Sequence, residues 1–376
     1  MGKKFFALAA AALLLMGQVN AADFIRWVEF DVSCEAMERA LDYDVRSQEQ
    51  EKRLSWIDIL ALAATRHGGG DFSVQAVDAA AKALCSDESM EQVLGEQYKY
   101  YVYYKEAYTA VLGGLVGNFA IETTDSAGKT ERKPQYGLRA FSPIAAGYGY
   151  AHYDDFGASR SYGYRRRHLG NDLLGALGTP ICAVEAGTVE ALGWNQYGGW
   201  RVGIRSLDRK RYYYYAHLRK DAPFAPGLKE GDAVEAGQVI GFMGRTGYSA
   251  KENVNNIETV HLHFGLQLIF DESQKDGDGE IWVDVYELVR LLSRHRSSVR
   301  RTAAGTWERA HLPVLRSRPV EFAASTQNIH GLFTFSGSAS GKMAANPAKE
   351  ADPYEQEICS CGRAVDCAAA WRVRRF

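Results

Sequence analysis

The stretch His261-Leu-His-Phe-Gly-Leu-Gln-Leu-Ile269 decides how its part of the chain is built. It reads as a strand, and in a strand residues two apart share a face. His261 and His263 therefore point one way, while Leu262 and Phe264 pack the other. Two unionised imidazoles side by side suit two metal ligands, or one ligand and one proton-transfer group. A pair of surface histidines is the bland alternative, and this motif alone does not defeat it. Moving outward, short β-branched or aromatic runs alternate with Gly-containing turns: Thr188-Val-Glu-Ala-Leu, Trp200-Arg-Val-Gly-Ile-Arg, residues 211–218, and Val239-Ile-Gly-Phe-Met. That texture predicts a mainly antiparallel β domain over residues 141–296, with a short closing helix from 283 to 294.

Two further segments of this region carry chemistry-bearing residues. In His168-Leu-Gly-Asn-Asp172 a histidine and a carboxylate stand four apart, but Gly170 and Asn171 disfavour a helix, so a turn or strand is expected. In Arg211-Tyr-Tyr-Tyr-Tyr-Ala-His217-Leu, strand alternation puts His217 on one face with Tyr213 and Tyr215. A lone histidine beside aromatics is ordinarily structural. Here four of the nine histidines and one Asp fall in a single β domain at motif-like positions, which shifts the weight. Arg165-Arg-Arg167 reads as a solvated basic run, Asp154-Asp155 as a solvated loop, and Cys182 as a small buried hydrophobe. Trp194 to Trp200 is an aromatic, Gly-rich loop that either lines a groove or covers the sheet.

Before the β domain, residues 23–118 read as helical. Trp56 to Ala64 is apolar at helical spacing and stops at Gly68-Gly-Gly; Val74, Val77, Ala81 and Leu84 repeat the pattern. A Tyr-rich helix is expected from about Glu91 to Leu115, its tyrosines packing on neighbours rather than stacking on carbohydrate. His67 at a helix carboxyl end is simple dipole chemistry. Residues 119–140 are polar and read as a linker or surface hairpin. Residues 297–376 lose all periodicity and read as a weakly ordered tail. The fold class is thus α+β multidomain.

Composition narrows the classes of function. With 46% hydrophobic and 12% aromatic residues among 376, the chain buries a real core. A formal net charge of −2 gives no electrostatic reason to expect nucleic acid. Lys3-Lys4, an apolar run from Phe5 to Met16 and Val19-Asn-Ala21 form a secretory signal over residues 1–21. The run is shorter than the roughly 20 residues of a membrane span, so export to the cell envelope is expected without a stable transmembrane anchor. Exported cysteines can oxidise, and Cys34 with Cys85 is one possible bridge; Cys359, Cys361 and Cys367 lack the paired spacing of a structural zinc site.

Taken together and in this order, the HxxxD motif, the Tyr-x-His-Leu strand and the final His-x-His resemble the lysostaphin-type, or LytM-type, zinc endopeptidases of bacterial cell-wall metabolism. The flanking Gly178-Thr-Pro, Ala186-Gly-Thr-Val, Gly231-Asp and Gly244-Arg-Thr-Gly agree with it. The resemblance covers residues 167–269, about a quarter of the chain. It implies one zinc ion held by His168, Asp172 and His263, catalytic roles for His217 and His261, and peptidoglycan peptide as substrate. No required position is substituted. The segment from Tyr248 to Val260 is longer than the usual link of that family and puts substrate preference in question. The alternative is a non-catalytic zinc-binding module that regulates another wall hydrolase or scaffolds an envelope assembly.

Overall fold

The computed structural model describes residues 26–28, 30–124, 130–162, 164–275, 279–309 and 373–374. The expected signal segment and Cys359, Cys361 and Cys367 lie outside these residues. Helices come first, as the apolar spacing requires: α1 (Cys34–Ser47), α2 (Trp56–His67), α3 (Val74–Leu84), α4 (Met90–Leu94) and α5 (Tyr98–Leu112). Ser33, Ser73 and Ser89 accept the first free backbone N–H groups of α1, α3 and α4, and Gly68 ends α2 in the left-handed region at φ 76°. The single Tyr-rich helix expected from Glu91 is broken. Gly95 at φ 52° closes α4, and a 3-10 turn precedes α5. Tyr101, Tyr104 and Tyr108 of α5 are buried; the Tyr101 hydroxyl donates to Asp58, and Tyr108 meets Phe30 edge-on. These tyrosines are core packing. Cys34 and Cys85 do not bridge: Cys34 is buried under α6 (Tyr286–Leu292), its N–H donating to Glu287, while Cys85 is exposed at the end of α3.

The main sheet follows, and its strands number in chain order: β1 (Arg26–Val28), β2 (Tyr150–His152), β3 (Asn171–Gly175), β4 (Gly187–Asn195), β5 (Gly199–Ser206), β6 (Arg211–Ala216), β7 (His261–Leu268) and β8 (Ile281–Val283). Strand β7 is the centre. It pairs antiparallel with β6 along one edge; along the other it pairs with β3 through its first half and with β8 through its second. Strands β4 and β5 continue beyond β6, β2 flanks β3, and β1 joins β8 in parallel. All the other pairings named here are antiparallel.

One face of this sheet is core. Leu262, Phe264 and Leu266 of β7 and Tyr213 and Tyr215 of β6 are fully buried there, with Phe264 against both tyrosine rings. Each such side chain contributes roughly 1.5–3 kcal/mol of apolar burial. The helices join this same face. Arg211 is buried in an ion pair with Glu185, and its Nη1 donates to the Ala110 carbonyl of α5 at 3.2 Å. Arg139 in turn donates to the Gly114 carbonyl. The opposite face is left for the polar residues considered next.

Among the described residues, four two-stranded pairings lie outside the main sheet, and two of them fall in segments expected to lack such structure or to link domains. Val116–Thr124 pairs with Thr130–Leu138, mostly in the 119–140 segment expected to be linker or hairpin but beginning three residues inside the region expected to be helical. Val299–Arg301 pairs with Trp307–Arg309 across a turn at Gly305, inside the stretch expected to be tail, and Trp307 packs on Phe242.

Candidate metal centre

Strand register builds the centre. His263 on β7 stands directly opposite Asp172 on β3, so an imidazole and a carboxylate share one face without any long-range adjustment. His168 precedes β3 at the end of a hairpin formed by Ser159–Tyr162 and Tyr164–Arg167, its N–H donating to the Ala158 carbonyl. Gly170 lets this turn close on β7. A Cβ there would lie 2.8 Å from the His263 ring and 2.6 Å from the Phe264 carbonyl oxygen. Asn171 is wholly buried and structural: its amide donates to the Tyr153 carbonyl and its oxygen accepts from the Val285 N–H.

Three donor atoms converge. His168 Nε2 lies 2.8 Å from His263 Nδ1 and 3.0 Å from Asp172 Oδ1, and the last two are 3.3 Å apart. Two ligands of a tetrahedral zinc with bonds of about 2.0–2.1 Å are about 3.3 Å apart, so small shifts suffice to admit such an ion. A set of two imidazoles and a carboxylate is also a chemically apt one. These three residues could hold a metal.

Sequence reading left Asp155 as a solvated loop residue; the structure puts it behind the centre. Its Oδ2 is 3.3 Å from His168 Nδ1 and 2.5 Å from Arg160 Nη2, and its Oδ1 accepts the Asp172 N–H at 3.1 Å. The Asp155 backbone carbonyl is nearer still, 3.0 Å from His168 Nδ1, and such acceptors on the distal nitrogen of a metal-ligand histidine fix that ring's tautomer and direction. Arg160 also reaches Asp172 Oδ2 at 3.3 Å. Without metal, burial alone would disfavour the charged His168 ring, yet hydrogen bonds to Asp155 and Asp172 outweigh it and raise its pKa to about 9. Burial opposes the charge on Asp172 as well, but hydrogen bonds and charge from His168 and His263 hold it far below the carboxylate range. His263 goes the other way, down to about 4, chiefly by burial.

His217 and His261 flank the centre. Their ring centroids are 4.8 Å apart, His217 is 5.8 Å from His263, and His261 Nε2 is 3.7 Å from Asp172 Oδ1. Each is oriented through Nδ1, which faces a backbone carbonyl at 2.9 Å, Thr246 for His217 and Thr259 for His261. In a neutral ring so oriented, Nε2 is the acceptor. Burial holds the His217 imidazole well below its usual range, so the ring is neutral at pH 7.

The alternation expected around His217 fails. Tyr213 and Tyr215 lie on the core face, whereas Tyr214 is the tyrosine beside His263, at 5.9 Å between centroids. His217 reaches the site because it lies just past β6 with φ 63°, which breaks the period of two and turns its side chain back. Gly199, at φ 65°, gives the Thr246 carbonyl room to approach: a Cβ there would meet Thr246 at 2.4 Å.

Other neighbours come from separate loops, and of these the sequence marks the 194–200 loop and the 248–260 segment but not the Arg166–Tyr248 contact. The Tyr248 ring is 5.8 Å from His217 and its hydroxyl accepts from Arg166, a member of the basic run expected to be solvated. The long 248–260 segment is fastened by Asn253, whose Oδ1 accepts from Trp200 Nε1 and whose amide donates to Asp221. Trp200 also packs edge-on against Trp194 and Phe224, so it serves the sheet as well as the cleft wall.

Comparison with known proteins agrees with this geometry. Residues 166–276 match Peptidase family M23, as the motif resemblance implied. The chain is 40% identical over 154 residues to the L-Ala–D-Glu endopeptidase of Bacillus subtilis, covering 41% of this chain and 43% of that protein. It is 38% identical to lysostaphin of Staphylococcus staphylolyticus over 26% of this chain and 18% of the relative. It is 33% identical to the peptidoglycan DD-endopeptidase ShyC of Vibrio cholerae over 27% of this chain and 20% of the relative. The chain thus spans less than half the length of each of these relatives.

Proposed function

We propose that the chain is an exported zinc metalloendopeptidase that hydrolyses peptide bonds in peptidoglycan stems or cross-bridges. The carrying observation is the convergence of His168, Asp172 and His263, with two further histidines beside them. The M23 match and relatives named for cleaving peptide bonds, one of them in peptidoglycan, support the reaction class and the substrate. Zinc is the metal that two imidazoles and one carboxylate suit best, since magnesium and calcium take oxygen ligands. When bound there, zinc supplies an acidified water, of pKa about 7, and polarises the scissile carbonyl.

The chain's own residues do the rest. Asp155 orients His168, and Arg160 steadies the second oxygen of Asp172. His217 is neutral and its free Nε2 can take a proton as general base. His261 offers a second Nε2 in the same cleft. One removes the proton, and the other, once protonated, hydrogen-bonds the developing oxyanion. The proposed organisation is an export signal at residues 1–21, a helical region within 23–118, a hairpin segment through 119–140, the peptidase domain at 141–296, and, past the 299–309 hairpin, a tail.

Mass spectrometry of fragments released from purified peptidoglycan tests the reading. The zinc-loaded chain should release peptide fragments. His263→Ala should lose both zinc and clearing; His261→Ala should keep zinc and lose clearing. If both variants clear wall like the parent, the reading is wrong.

A further inference from the structure

Arg166 is the penultimate residue of the Tyr164–Arg167 strand, two residues before His168. Its guanidinium carbon lies 5.5 Å from the Tyr197 ring centroid and 5.1 Å from that of Tyr248, and its Nη2 donates to the Tyr248 hydroxyl. Aromatic bracing of this kind fixes the planar fork without neutralising it. Among the described residues Arg166 has no carboxylate partner, and its buried Nε has no hydrogen-bond acceptor. Arg201 of β5 shares one feature with it, a buried Nε without a hydrogen-bond partner among the described residues. Both guanidinium charges bear on Tyr214, the ring beside His263. Glu280 acts on the same ring with the opposite sign, so the two guanidinium groups are local positive charges rather than a basic cleft. Arg166 as a whole is half-buried, so its outer guanidinium edge stays open to a ligand, and a carboxylate is the acceptor whose geometry matches the guanidinium fork.

The distance from the reacting groups bounds where that carboxylate sits. The guanidinium is 5.1 Å from the Tyr248 ring, which is 5.8 Å from His217. An extended peptide advances roughly 3.3–3.6 Å per residue, so a group one or two residues from the scissile bond comes within reach. We propose that Arg166 is a specificity-determining residue that binds a carboxylate carried by the peptide substrate one or two residues from the scissile bond. This rests on the peptidase reading above and narrows it to acidic peptides.

The test uses two stem peptides containing an L-Ala–D-Glu bond and differing only in the D-Glu α-carboxyl, free in one and amidated in the other. The zinc-loaded chain should favour the free acid in kcat/KM by about 10- to 100-fold, the size of one charge-assisted pair. Arg166→Ala should abolish that ratio, and Arg166→Lys, which keeps the charge but not the fork, should restore part of it. Equal rates in the parent chain, or a ratio that persists in Arg166→Ala, would overturn the proposal. Calorimetric binding of the same pair, with the scissile amide N-methylated, separates the two readings. An Arg166-dependent preference in binding without any hydrolysis refutes the peptidase reading and keeps this one. Hydrolysis with no preference in binding or rate does the reverse.

Discussion

Removing Asp155 should weaken metal binding by an amount that depends on pH in a defined direction. Its carboxylate lies 3.3 Å from His168 Nδ1 and accepts the Asp172 N–H at 3.1 Å, so Asp155→Ala strips the charged partner from one ligand, whose Nδ1 keeps the Asp155 backbone carbonyl at 3.0 Å, and the backbone anchor from another. Loss of such support costs about 10- to 100-fold in metal affinity, or about 1.4–2.7 kcal/mol. A proton competes for the same site. In the metal-free chain burial disfavours the charged His168 ring, but Asp155 and Asp172 raise its pKa to about 9. Metal binding at pH 7 must therefore expel that proton, which reduces apparent affinity by about 100-fold. Asp155→Ala lowers this pKa as well, so part of the lost affinity returns at pH 7 through weaker proton competition. The expected loss is thus the full 10- to 100-fold at pH 9 and distinctly less at pH 7. Competition against a chromophoric zinc chelator at both pH values measures it. An unchanged affinity at pH 9, or a larger loss at pH 7 than at pH 9, would refute the reasoning.

Other expectations follow from the same geometry. His217→Ala should lower kcat by about 10²- to 10⁴-fold, the usual contribution of a positioned acid or base, with metal content unchanged by elemental analysis; loss of metal would count against that role. Gly114→Ala would place a Cβ 1.8 Å from Glu185 Oε1 and 2.3 Å from Arg211 Nη2. Disrupting this buried pair should cost about 3–5 kcal/mol in urea unfolding, and a cost below about 1 kcal/mol would contradict the packing. His152 is held down to about 4 by burial, and its Nε2 has no hydrogen-bond partner among the described residues. With the folded value below the unfolded 6.5, the unfolded chain takes the proton first, so stability is lost as pH falls from 6.5 toward 4. His152→Leu should spare roughly 1–2 kcal/mol of that loss between pH 6.5 and 5, read from unfolding midpoints at the two pH values.

How much of this was legible in the chain divides along physical lines. The sequence by itself determined the helical start, the antiparallel β region and the paired facing of His261 and His263, because these follow from local periodicity of 3.6 or two residues. Motif order then singled out His168, Asp172 and His263, and register does bring His263 opposite Asp172. Periodicity failed at single residues that leave the regular backbone. Gly95 broke the long helix, and His217 at φ 63° turned from the Tyr213–Tyr215 face toward the site. Only the tertiary structure decided the supporting shell. Asp155 behind His168, Thr246 and Thr259 behind the flanking histidines, and Arg166 between Tyr197 and Tyr248 are all contacts between segments that no local pattern relates. An isolated carboxylate or a basic run reads as solvated, because its burial and its partners exist only once the sheet brings distant loops to one edge.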